Sequence, residues 1–365
     1  MLPRTTATAA IAAVLVAVLA GCVPAAAPSP NPSVTGDPSI PLTELTMLAD
    51  PHSHVGQSTA VLADAAIAAP AVAPEQSLPA TVTSRDLAGD TSVTVDSTDR
   101  ILAMDLSGSI AATVFGLGFG KSVVGRDIST TFPGAADLPV VTSSGHTINS
   151  EAVLALRPTV VITDGTIGPI DVVLQLRDAG IAVVFVNTTP SIDGVGELAR
   201  QVSASLGAPA AGEQLAASLM SGIDAKVSEI AGIVPSGKPL RIMFLYLRGN
   251  SGIYYLFGKG SGADVLIDSL GGIDVAAEIG IEGDRPMTDE AMVAANPDLI
   301  LVMTDGLASV GGVDGLLESK PAVALTTAGQ NRRFVDMADG DILSFGPRTA
   351  GVLDALARAI YAPGQ

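Results

Sequence analysis

No tryptophan occurs in this chain, and aromatic residues of every kind make up only 3% of it. A core must therefore be built from Val, Ile, Leu, Ala and Met, and each of the four tyrosines can be weighed singly. One cysteine, Cys22, stands alone, so no internal disulfide can form. Positive charge is scarce: 19 Lys and Arg face 37 Asp and Glu, a net charge of −18. That balance argues against a nucleic-acid partner, whose phosphates require the opposite sign, and it fits solubility at a cell surface. Histidine is limited to His52, His54 and His146. No H-E-x-x-H or G-x-S-x-G motif is present. With one histidine in the folded part, a Ser-His-Asp hydrolase is strained. The stretch Gly116-Leu-Gly-Phe-Gly120-Lys121-Ser122 is not a phosphate loop, because Phe115 stands where the motif's first glycine belongs. It reads as the end of a helix.

What is present begins with an export signal. Arg4 supplies a positive start, residues 9–20 form a short apolar run, and Leu19-Ala20-Gly21-Cys22 follows at once. A run this short before a small-residue cleavage site is a signal peptide over residues 1–21 rather than a membrane span. The cysteine directly after the small pair resembles the bacterial lipobox. That resemblance implies that Cys22 is lipidated and holds the protein at the extracytoplasmic face of the membrane, since acyl chains anchor without a transmembrane helix. Residues 22–97 read as this lipidated cysteine, a Pro/Ala/Ser-rich tether over 23–41, and a mostly irregular N-terminal region. The His52-x-His54 pair is expected on the surface of that region.

From Arg100 onward short apolar runs alternate with helical patterns. Strands are expected at residues 101–104, 122–125, 160–162, 181–186, 240–247 and 299–303. Helices are expected after Ser107 as cap and at 152–156, 170–179, 263–270, 289–295, 313–317 and 348–361. Such alternation predicts an α/β fold with a largely parallel sheet. The pattern also repeats. Glu151-Ala-Val-Leu-Ala-Leu-Arg-Pro158 matches Glu290-Ala-Met-Val-Ala-Ala-Asn-Pro297, and each is followed by an apolar strand ending in Thr-Asp-Gly. Two lobes of one design follow. Between them, Leu215, Leu219, Ile223, Val227 and Ile230 recur at helical spacing over residues 211–233, a helix of roughly 30 Å. The expected organisation is an N-terminal α/β lobe at 98–207, an interlobe helix at 208–236 and a C-terminal α/β lobe at 237–365. A cleft between the lobes would be lined by loops at the carboxyl ends of strands.

Two segments carry the chemistry. Ser144-Gly145-His146-Thr147-Ile148 precedes the first repeat helix, and Phe244-Leu245-Tyr246-Leu247-Arg248-Gly249 ends the first strand of the second lobe. Tyr246 and Arg248, two apart, share one side of a strand, and an adjacent cation favours a phenolate. A phenolate suits ferric iron and an imidazole binds iron as well. Haem iron takes one ligand from each face, so one ligand per lobe would let a closing cleft clamp a flat cofactor. Tyr254 and Tyr255 compete with Tyr246 on a neighbouring apolar run. Arg126, Lys259, Arg285 and Arg348 are candidate propionate partners.

The stretches Ser122-Val-Val-Gly-Arg-Asp127, Gly145-His-Thr-Ile148, Phe244-Leu-Tyr-Leu-Arg-Gly249, Tyr254-Tyr-Leu-Phe-Gly-Lys-Gly-Ser-Gly-Ala-Asp264, Met303-Thr-Asp-Gly-Leu-Ala-Ser-Val-Gly-Gly312 and Phe345-Gly-Pro-Arg348 resemble the haemin-binding lipoproteins of actinobacterial ABC importers, the HmuT-like family. The resemblance covers about residues 42–361. It implies a helix-hinged substrate-binding fold, not an enzyme. It implies ferric haem (protoporphyrin IX) as the transported ligand, held by His146 and Tyr246. Arg248 would stand behind the tyrosine and Met303 would pack on the macrocycle. The partners implied are an ABC permease and its ATPase, served by a monomer. Such binders carry an acidic docking residue on each lobe, but Ala111-Ala112 stands in the segment expected to supply one. The alternatives weighed are a ferric siderophore or corrinoid cargo, which the shortage of aromatics disfavours, and an extracytoplasmic haem sensor or haem enzyme. The last is disfavoured because two protein ligands leave iron no open position.

Overall fold

The computed structural model describes residues 33–34, 40–143 and 145–365. The expected signal peptide, Cys22 and nearly all of the tether lie outside them. Among the described residues no helix is long and apolar enough to cross a membrane.

Two sheets organise residues 32–365, which form one compact unit. The first contains strands Ile101–Met104, Val123–Arg126, Val160–Thr163 and Ala182–Phe185, all parallel. Ile101–Met104 and Val160–Thr163 are buried at every position, as an all-parallel sheet covered on both faces requires. Separate apolar clusters lie on its two faces, one around Ile101, Ala103 and Ile162, the other around Leu102, Met104 and Val161. The second sheet is built on Arg241–Arg248, flanked by Leu299–Met303 in parallel and by Ile253–Phe257 in antiparallel register. Phe334–Met337 extends it on one side and Asp284–Pro286 on the other.

The two lobes repeat one order. Apart from the short strands Ile273–Asp274 and Asp284–Pro286 of the second lobe, the first strand in each sits between the second and third, and the fourth lies beyond the third. The repeat helices, Ser150–Leu156 and Asp289–Ala295, are alike in detail. Asn149 caps one by accepting from the Ala152 N–H, and Thr288 caps the other by accepting from the Ala291 N–H. Both end on a left-handed residue just before proline, Arg157 at φ 46° and Asn296 at φ 40°. The halves diverge after the third strand. Thr304–Ala308 continues as a helix, whereas Asp164 turns the chain by accepting from the Thr166 N–H and hydroxyl.

Several expectations are corrected. Ser107 does not cap the helix Ser109–Gly116. Asp105 does: its buried carboxylate accepts from the backbone N–H groups of Ser109 and Ile110, with Gly108 as the left-handed residue between. Residues 42–97 are less irregular than their composition implies. Ala80–Ser84 and Thr91–Val95 pair as a hairpin. Ser58–Ala60 joins the second sheet beside Phe334–Met337, and Ser33–Val34 pairs with it in turn. The His52-x-His54 pair is not a free surface feature. His52 Nδ1 lies 3.2 Å from Asp298 and its Nε2 2.9 Å from the Lys238 carbonyl, pinning this segment to the second lobe. Ile192–Ser205, Ile253–Phe257 and Phe334–Met337 are elements that the sequence pattern does not single out.

The interlobe helix runs over Pro209–Ile233, 25 residues, or roughly 37 Å. Proline at its first position suits an N–H that has no helical partner. It lies against Ile192–Ser205, and Gly212 is the point of closest approach: a Cβ there would overlap the Ser203 hydroxyl and come 3.1 Å from the Ala199 carbonyl. Gly212→Ala is therefore expected to destabilise the fold by about 1–3 kcal/mol through overpacking, measured as a lowered midpoint in urea against the parent.

Candidate functional site

His146 sits on a narrow turn ahead of the first repeat helix. The Ser143 N–H donates to the Thr147 carbonyl and the His146 N–H donates back to the Ser143 carbonyl. His146 itself adopts φ 56°, a left-handed conformation that a side chain other than glycine's enters at a cost. The turn is tied down beyond it, where the Ile148 N–H donates to the Gly168 carbonyl. The half-buried ring meets one polar neighbour, the Ser129 hydroxyl, 3.5 Å from Nδ1. Nε2 has no hydrogen bond to a described residue.

The Ser129 turn is held from beneath by buried carboxylates. Asp127 accepts from the Thr130 N–H and from the Asp105 N–H. Burial first, then the neighbouring Asp105, pushes the Asp127 carboxyl up to about 7. Asp105, fully enclosed, is raised for the same leading reason.

Across the cleft, Tyr246 lies near the end of the strand Arg241–Arg248. Its ring stacks on Phe257 at 5.6 Å, and the Arg248 guanidinium stands over it at 4.6 Å from the ring centre. Arg248 thus meets the face of the ring, and the Tyr246 hydroxyl has no hydrogen bond to a described residue. Arg248 donates to the Leu247 carbonyl at 2.9 Å and to Asp339 at 2.5 Å, and its Nη2 lies 3.6 Å from Met303 Sδ. Met303, half-buried, belongs to this same corner. Arg248 also reaches His146 electrostatically. The imidazole pKa is lowered by burial first and by the Arg248 charge second, so residues of the two lobes share one field.

The remaining sequence-derived residues divide. Tyr255 pairs directly with Tyr246 and faces the same way, whereas Tyr254 pairs with Leu247 on the opposite face. The Lys320 ammonium covers the Tyr254 ring at 3.9 Å. Arg348 is buried, paired with Asp341, bonded to the Gly340 carbonyl and set over Phe132. It packs between the lobes, and its Nε is buried without a partner. Arg126 donates to the Thr130 carbonyl at 3.1 Å. Lys259 is exposed. Arg285 is exposed too and pairs with Leu256, so it leaves the sheet on the face away from Tyr246. Ala111 and Ala112 are buried, so neither position is a surface on which a partner could dock. Ser129 and Asp339 are functional neighbours that sequence reasoning misses. Two cavities elsewhere, of about 580 and 400 Å³, are lined by other residues of the first lobe and its hairpin and include neither His146 nor Tyr246. Among the described residues no group of three or more His, Cys, Asp or Glu side chains is placed to hold a bare metal ion.

Two α/β lobes joined by one helix are the architecture of a substrate-binding protein. The periplasmic binding protein family matches residues 105–339, and the chain belongs to it. Within that family it is closely related to HmuT-type haem-binding proteins. The crystal structure of the heme binding protein HmuT is 39% identical, with a TM-score of 0.80 over 86% of this chain and 99% of that one. Solved structures of HmuT include single alanine variants at an arginine, a histidine and a tyrosine. The periplasmic heme-binding protein RhuT from Roseiflexus sp. RS-1 is 38% identical, with a TM-score of 0.66 over 74% of this chain and 100% of that one. The ABC transporter substrate-binding lipoprotein YvrC of Bacillus subtilis is 28% identical over 250 residues, 68% of this chain and 76% of that protein.

The field across the cleft has a measurable consequence. Arg248→Ala is expected to raise the His146 pKa toward 6.5 without reaching it, since burial, the larger cause, remains. An NMR titration of the His146 ring protons in the ligand-free protein reads this directly, and no change would detach Arg248 from His146.

Proposed function

We propose that this chain is an extracytoplasmic carrier that binds ferric haem between its lobes and delivers it to the permease and ATPase of an ABC importer. The observation that carries the reading is the pairing of two half-buried ligating groups on opposite walls, each with its ligating atom unused. Tyr246 offers a hydroxyl with no hydrogen bond to a described residue, and His146 offers Nε2 likewise. Haem iron takes axial ligands of these kinds, one from each face.

Each wall suits its ligand to the task. The depressed pKa of His146 keeps the imidazole neutral at neutral pH, and neutral imidazole is the form that ligates. Arg248, over the Tyr246 ring at 4.6 Å, places a positive charge beside the proposed oxygen ligand. Met303 and Tyr255 supply surface for the macrocycle. Lys259 is exposed and remains a candidate propionate partner. The HmuT variants lend support: the tyrosine and arginine altered there are two positions apart, as Tyr246 and Arg248 are here. We take residues 1–21 as a removed signal peptide and Cys22 as the lipid anchor. Residues 98–207, 208–236 and 237–365 are taken as lobe, hinge helix and lobe of a monomer.

Titration of the protein with ferric haemin, followed by absorbance, tests the reading. One saturable Soret band per chain is expected. Tyr246→Ala and His146→Ala should each alter that band and weaken binding by at least about tenfold, equivalent to ~1.4 kcal/mol. A parent protein with no saturable band would overturn the haem assignment.

A further inference from the structure

Arg248 carries a long side chain at the end of a strand, yet its guanidinium is set over one ring, and something must hold it there. Three contacts are available: the Leu247 carbonyl at 2.9 Å, the Met303 sulfur at 3.6 Å and the Asp339 carboxylate at 2.5 Å. Sulfur is a weak acceptor, and the Leu247 carbonyl belongs to the neighbouring residue. Only Asp339 is charged and comes from elsewhere in the chain, 91 positions away. Asp339 is itself fixed. Its second oxygen accepts from the Asp305 N–H at 2.9 Å, in the first turn of Thr304–Ala308. One carboxylate thus ties the guanidinium to a helix start.

The next residue faces the other lobe. A Cβ on Gly340 would overlap the Thr131 hydroxyl and come 2.9 Å from the Ser129 carbonyl. Ser129 is the residue whose hydroxyl meets His146. The Asp341 N–H closes the turn on the Ala338 carbonyl. A single turn, residues 338–341, therefore touches the support of both proposed ligands.

We propose that Asp339 is a positioning residue that sets Arg248 against Tyr246, so that the Asp339–Gly340 turn registers the tyrosine wall of the cleft against the histidine wall. The ligand roles of Tyr246 and His146 are those of the haem-carrier reading, on which this rests. The bland alternative is that Asp339 only caps Thr304–Ala308. Asp339→Asn separates the two, because it keeps an oxygen for the Asp305 N–H and removes the charge that holds Arg248.

The test uses the full chain in detergent with isotope-labelled arginine, first without haem. In the parent, the Arg248 side-chain resonances (assigned with Arg248→Lys) should show restricted guanidinium rotation. Asp339→Asn should free that rotation and Asp339→Glu should restore it in part. With haemin added, Asp339→Asn should shift the phenolate-to-iron charge-transfer band in the direction Arg248→Ala does, with about tenfold weaker binding. The double variant should go no further than Arg248→Ala alone. Unchanged arginine resonances in Asp339→Asn would overturn the proposal, as would a lowered Tm with the band unmoved. If the parent binds no haemin, the carrier reading fails, and the haem-free resonances still decide whether Asp339 positions Arg248.

Discussion

The register between Arg241–Arg248 and Ile253–Phe257 is the constraint on which the site depends. Tyr246 lies opposite Tyr255, and Phe244 opposite Phe257, so the ring that stacks on Tyr246 and the arginine that covers it occupy one face. A slip of one residue would turn every one of these side chains to the other face. The register is pinned from both sides. Leu245, Leu247 and Leu256 are buried in the cluster on the opposite face, and Phe244 stacks on Phe257 at 5.3 Å on the near face. Apolar packing therefore specifies where the polar chemistry goes, and the polar residues need only occupy the last turns of an already fixed strand.

The repeated strand order explains why a ligand could be gripped from two walls. In the first lobe the loops after the parallel first and second strands converge at one end of the sheet, and in the second the parallel strands Arg241–Arg248, Leu299–Met303 and Phe334–Met337 all end on one side. In the first lobe that end holds Asp105, Asp127, Ser129 and the His146 turn; in the second it holds Tyr246, Arg248 and Asp339. The equivalence breaks at the second strand, which is parallel in the first lobe and antiparallel in the second. The antiparallel hairpin brings Tyr255 and Phe257 beside Tyr246, which a crossover connection could not do at so short a separation.

Much of this was legible before any coordinates. Asn149 and Thr288 announce helix starts, Pro158 and Pro297 announce stops, and the continuous apolar runs announce buried strands. His146 and Tyr246 stand out because their residue types are rare in this chain. Other elements hide for physical reasons. Phe334–Met337 is interrupted by Asp336, which looks like a loop residue until its carboxylate accepts from Gln57, Thr59 and Thr304. The hairpin over residues 80–95 is rich in Thr and Ser, and only one residue of each strand is fully buried. Its pairing comes from alternation rather than from apolar runs. The Ile192–Ser205 helix does carry a signal in Val195, Leu198, Ala199 and Val202, with Ser191 as cap. The roles of Asp339 and Ser129 are different in kind. They arise from contacts between distant segments, and no local pattern contains them.

The charge of the cleft follows from the same contacts. Arg348 is neutralised by Asp341, and Arg248 by Asp339. Arg126 is turned onto a backbone carbonyl. In a chain of net charge −18, the arginines near the site are thus engaged in part with the protein's own turns, although the Nε atoms of Arg126 and Arg348 are buried without a partner. Attraction to the carboxylates of a ligand is then a weak source of affinity, because an exposed lysine such as Lys259 contributes little through water and salt. The phenol oxygen of Tyr246 and the Nε2 atom of His146 have no hydrogen bond to a described residue. A ligand that offered only negative charge would find few partners there. On the proposed reading, one that offers a metal centre between two flat faces would engage both atoms, and selection would rest on ligation more than on charge.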